Sequence, residues 1–113
     1  MAIEHYSCGK IVIDGKTYTS DVIIYPGRVD ASWWRKQGHY LQAVDLADII
    51  QARPDMLIVG TGYWGVMTVP EETVGFVGSK GIELRVERTE KAVELYNSTK
   101  KDRTVIAALH LTC

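Results

Sequence analysis

Three features of this 113-residue chain have residue types and spacing that could do chemistry. The first is GTGYWG, Gly60 to Gly65, which fits the G-x-G-x-x-G pattern of dinucleotide-binding turns and follows the apolar run Met56-Leu57-Ile58-Val59. The second is His39, flanked by Gly38 and preceded by Trp33, Trp34 and Arg35; a loop imidazole is suited to proton transfer near neutrality. The third is Arg103, a cation placed just before the last apolar run.

Of these, the glycine motif makes the most specific claim. In a dinucleotide fold the helix starts at the second glycine, so that its free N–H groups face the pyrophosphate. Here Tyr63 to Val69 intervene before the expected helix, whose first turn carries Glu71 and Glu72 and would repel phosphate. A turn at the end of a strand is therefore the simpler reading, and Glu87 is read as a solvent-facing residue at a strand end. That end of an open α/β sheet is also where ligands lodge, so Gly60, Thr61 and Gly62, with His39 or Arg103, are the candidate residues for a small anion or metabolite. His5 and His110 read as structural. No serine or cysteine stands out as a partner for His39, so no catalytic residue is named. No metal-ligating set and no cofactor are expected.

Elements that could position these residues follow from the pattern. In KIVIDGKTYTSDVIIYP, Asp14-Gly15 predicts a two-residue hairpin turn, with Val22-Ile23-Ile24 carrying the second strand inward until Pro26-Gly27. A small helix capped by Asp45 ends before Pro54. Met56–Val59 and Val105–Leu109 read as strands covered on both faces, and Ile82, Leu84 and Val86 as a half-buried one. Helices are expected from Pro70 to Gly78 or Gly81, and from a Thr89 cap to Lys100 and Lys101. A leading hairpin followed by alternating helices and strands predicts one α/β domain over residues 1–113, with helices packed on a mixed sheet.

The bulk numbers are those of a globular protein: 46% hydrophobic, 24% charged and a net charge of −1, with no basic surplus to suggest nucleic-acid binding. No apolar run reaches the length of a membrane span. Cys8 and Cys113 lack zinc or redox spacing and are expected to be free thiols in a reducing cytoplasm. Trp33 and Trp34 are adjacent, so an extended segment turns one inward and leaves the other outside, whereas a twisted loop buries both. Trp33, Trp34 and Trp64 are thus the candidate interface anchors.

PDMLIVGTG, the hairpin containing IDGKTY, the tryptophan after the second strand, the Tyr96-Asn97 pair and the closing VIAALHL together resemble a small family of unknown function found in archaea and bacteria. Its eukaryotic relatives include a mitochondrial complex I assembly factor and an adipogenesis-associated protein. The paired tryptophans and Gly38-His39 look more like archaeal members, and Leu95 stands where the family pattern often has threonine. The resemblance implies a three-layer α/β fold without an established catalytic activity. The function expected is binding or assembly through a protein partner, with self-association as one form of it.

Overall fold

The computed structural model describes residues 1–99 and 103–112. It is organised around a five-stranded mixed sheet whose middle strands are the apolar runs of the sequence. β1 (Ile3–Ser7), β2 (Lys10–Ile13) and β3 (Lys16–Tyr18) form a separate antiparallel sheet. The large sheet contains β4 (Val22–Tyr25), β5 (Arg28–Asp30), β6 (Met56–Thr61), β7 (Glu83–Glu87) and β8 (Val105–His110), in the order β5-β4-β8-β6-β7. β6 runs parallel to both β7 and β8, whereas β4 is antiparallel to β8 and β5. The helices are α1 (Ala47–Gln51), α2 (Glu71–Ser79) and α3 (Thr89–Ser98).

Alternation along the central strands divides the interior into two cores. Leu57 and Val59, Ile106 and Ala108, and Ile23 and Tyr25 face one side, where they meet Leu46, Ile49 and Val77. Met56 and Ile58, Ala107 and Leu109, and Val22 and Ile24 face the other, where Ile3, Ile11, Ile13 and Ala92 cover them. The three layers are therefore α1 and α2, then the large sheet, then the small sheet with α3. Both faces of β6 are covered, so it is buried throughout and is apolar up to its last residue, Thr61, whose hydroxyl donates to the Glu87 carbonyl.

The Asp14-Gly15 turn forms as expected, with φ of 48° and 82° at its two residues and Ile13 paired with Lys16. The second strand is different: β3 ends at Tyr18, and β4 belongs to the other sheet. Ser20 donates to the carbonyl of Ala31 and Asp21 turns toward β8, so this polar junction transfers the chain between layers. Asp45 is not the cap residue of the small helix. It sits inside a 3-10 turn, Ala43–Leu46, and accepts the N–H of Gln42, whose position is the cap. Thr89 is likewise the first residue of α3 rather than its cap, which is Arg88. The expected positions of Lys100 and Lys101 at the end of α3 lie outside the described residues.

Cys8 is disulfide-bonded, which corrects the expectation of a free thiol there and removes its support for a reducing compartment. Cys113 lies outside the described residues. Among the described residues no helix is long and apolar enough to cross a membrane.

Candidate functional site

β6 and β8 end side by side, with Thr61 in register with His110. On the other side of β8 the pairing of Val22 with Leu109 brings Asp21 beside His110. A polar cluster therefore forms where the apolar strands run out, from residues that the sequence places far apart.

Asp21 anchors it. Its Oδ1 accepts the N–H of Leu111 at 2.7 Å, while Oδ2 lies 2.7 Å from His110 Nδ1 and 2.8 Å from Arg35 Nη2. Burial pushes the carboxyl group up. The hydrogen bonds from His110, Leu111 and Arg35 together outweigh it and hold the pKa at about 2. Arg35 is itself buried, stacks on the Trp33 ring at 4.4 Å, and donates from Nε to the carbonyl of Gly38 at 3.0 Å. Its Nη1 is buried without a protein partner.

The network assigns the protons. An ionised Asp21 only accepts, so His110 Nδ1 carries its hydrogen toward Oδ2, and Nη2 of Arg35, 3.0 Å from Nδ1, donates to the same oxygen. His110 Nε2 lies 3.2 Å from His39 Nδ1, so one hydrogen is shared between the two facing ring nitrogens. The chain Asp21–His110–His39 runs from the buried end of the sheet to an exposed imidazole.

Backbone contacts hold this arrangement. Thr89 Oγ1 accepts the Gly62 N–H at 2.8 Å and donates to the His110 carbonyl at 2.6 Å, tying the ends of β6 and β8 to the start of α3. Gly62 has φ +105°, and a Cβ there would stand 3.3 Å from His110 Cδ2, so glycine is required for backbone conformation and for space. Gly60 is a strand residue rather than part of the turn. A Cβ on it would lie 2.8 Å from Thr89 Oγ1, so its role is close packing. The segment carrying His39 is fixed to the segment after Gly62: Thr68 N–H donates to the His39 carbonyl at 2.8 Å and Leu41 N–H to the Thr68 carbonyl at 2.9 Å.

Thr61, Gly62 and His39 thus come together around His110, with Gly60 packed beneath. Arg103 does not join them: it precedes the opposite end of β8 and is ion-paired with Glu83 at 2.9 Å. Trp33 is buried, whereas Trp34 and Trp64 are 74% and 61% exposed. Trp34 adjoins Arg35 and Trp64 follows Gly62 by two, so both project from segments anchored on the cluster. Exposed Tyr40 and Val66 lie in the same two segments. Sequence reasoning missed Asp21, Arg35 and His110. The available signal was polarity against pattern, since His110 closes an otherwise apolar strand and Asp21 immediately precedes one.

The helix after GTGYWG begins at Glu71, with Pro70 as its cap, so it does not start at the second glycine as a dinucleotide-binding helix would. Among the described residues no group of three or more His, Cys, Asp or Glu side chains is placed to hold a metal ion.

Comparison with solved structures finds the same fold in a conserved hypothetical protein, PH1505, from Pyrococcus horikoshii, at 28% identity, TM-score 0.85 and full coverage of both chains. A Bordetella pertussis protein described as a Mth938-like domain matches with 21% identity and TM-score 0.76, over 97% of this chain and 85% of that one. An outer membrane protein from Bartonella henselae matches with 22% identity and TM-score 0.81, over 98% and 94%; at that identity the likeness shows the fold alone. The family model described as protein of unknown function (DUF498/DUF598) matches residues 3–110, and the chain belongs to that family.

Proposed function

We propose that the protein acts by binding a protein partner through its exposed tryptophans, Trp34 and Trp64, as an assembly or scaffolding component. The observation that carries this reading is the exposure of two tryptophans on segments held rigid from below. Exposed tryptophan on a braced backbone loses little conformational freedom on binding and supplies a large contact area, the usual character of an interface anchor. Beside Trp34 lies a cavity of about 240 Å³ whose lining includes Val44, Asp30, Asp45 and Asp48 against the single cation Lys36. That lining suits an apolar partner segment carrying a basic side chain.

The test is a comparison in the protein's own cells. Tagged wild type and a Trp34→Ala/Trp64→Ala variant are isolated at matched levels and the co-purifying proteins quantified. Loss of a specific partner from the variant, with an unchanged unfolding curve, supports the reading; an identical set of partners overturns it. A second reading, a small-molecule binder or enzyme, rests on the convergence of Thr61, Gly62 and His39 on His110. A metabolite that co-purifies with wild type and is lost on His39→Ala would favour it.

A further inference from the structure

We propose that His39 and His110 form a two-imidazole site for a divalent transition-metal ion of the copper–zinc kind. The inference is independent of the partner-binding reading and rests on how the two rings are set.

The facing nitrogens, His110 Nε2 and His39 Nδ1, are 3.2 Å apart. Two imidazoles bound at about 2.0–2.1 Å to one ion with a tetrahedral angle between them place their nitrogens roughly 3.3 Å apart. The rings are inclined at 64°, an edge-on relationship rather than a stack. Occupancy by an ion therefore asks for little movement of the nitrogens.

The surroundings are those of a supported ligand. A metal-binding histidine characteristically gives its second ring N–H to a carboxylate, which fixes the tautomer and raises the basicity of the ligating nitrogen. Asp21 does this for His110 at 2.7 Å and is itself fixed by Leu111 and Arg35. His39 is held from its backbone, through its own carbonyl and that of Gly38. The charges of Asp21 and Arg35 offset each other, so an arriving cation meets no net local repulsion from that pair. His39 is exposed and gives the ion a route in.

In the metal-free pair one hydrogen lies between the rings. On binding, that hydrogen leaves to solvent and each ring keeps one hydrogen on its outer nitrogen, His110 at Nδ1 and His39 at Nε2, so the ion meets two facing lone pairs. With no third His, Cys, Asp or Glu ligand among the described residues, the remaining positions go to water or to an incoming donor. An all-imidazole protein set selects copper(II), zinc(II) or nickel(II) over calcium or magnesium, with copper(II) held tightest.

The experiment titrates the purified full-length chain with copper(II) and with zinc(II) by calorimetry, and records the copper(II) electron paramagnetic resonance spectrum. The same is done for His39→Ala and for His5→Ala, which removes a separate exposed histidine. Wild type and His5→Ala are expected to bind one equivalent saturably, with nitrogen couplings from two imidazoles. His39→Ala, a surface change that leaves the fold intact, is expected to bind at least tenfold more weakly. Equal affinity in wild type and His39→Ala, or loss of binding in His5→Ala alone, overturns the proposal.

Discussion

Asp21 Oδ2 and His110 Nδ1 are 2.7 Å apart although 89 positions separate them in sequence, and this contact closes the end of the central sheet. Asp21 also takes the Leu111 N–H and the Arg35 guanidinium, so one carboxylate joins the last strand, the first strand of the large sheet and the tryptophan-bearing segment.

Stability is therefore expected to fall in acid in a specific window. The carboxyl of Asp21 is held at about 2 in the folded chain, against 3.8 for an unperturbed aspartate. Because the folded pKa is the lower one, its contribution is fully present above about pH 4 and is lost as pH falls toward and through 2. The gap corresponds to about 2 kcal/mol. Urea unfolding from pH 7 down to pH 2.5 measures it; Asp21→Asn flattens this part of the profile.

At neutral pH the same Asp21→Asn change leaves the buried Arg35 charge without its counter-ion. It is expected to cost about 3 kcal/mol or more. Adding Arg35→Met should recover part of that loss, since it removes the orphaned charge. Strict additivity of the two changes in equilibrium unfolding would show that the pair is not energetically coupled.

Thr89→Val removes one hydroxyl and leaves two buried backbone groups, the Gly62 N–H and the His110 carbonyl, without their partner. A loss of about 2–4 kcal/mol is expected, with Thr89→Ser retaining most of the stability. Chemical denaturation of the two variants side by side makes the comparison.

Two glycines should respond oppositely to alanine. Gly60→Ala forces a methyl to 2.8 Å from Thr89 Oγ1 and 3.1 Å from Thr89 Cα, and is expected to destabilise by about 1–3 kcal/mol. Gly75 lies in α2 with open space around it, so Gly75→Ala is expected to stabilise by about 0.5–1 kcal/mol. Thermal melts of both variants give the signs directly.

These sites also show what the sequence made legible. Met56–Val59 and Val105–Leu109 announced buried strands because a strand covered on both faces tolerates only apolar residues, and Asp14-Gly15 announced its turn through the need for positive φ. β1 was not legible, since its Glu4, His5 and Ser7 give no apolar alternation. The chain's transfer between sheets at Ser20-Asp21 was hidden too, because it depends on partners at Ala31 and Leu111. Of the site, the Gly62 turn and His39 could be singled out locally. For His110 only its polarity at the end of an apolar strand was legible; its role comes from a strand register and from a carboxylate at the far end of the chain.

The central claim is that the exposed Trp34 and Trp64 engage a protein partner. Native mass spectrometry on wild type and the Trp34→Ala/Trp64→Ala variant, both isolated gently from the protein's own cells, tests it most directly. The account predicts a protein-bound species, heteromeric or self-associated, in wild type and the bare chain in the variant. The bare chain in both, or the same complex in both, would contradict it.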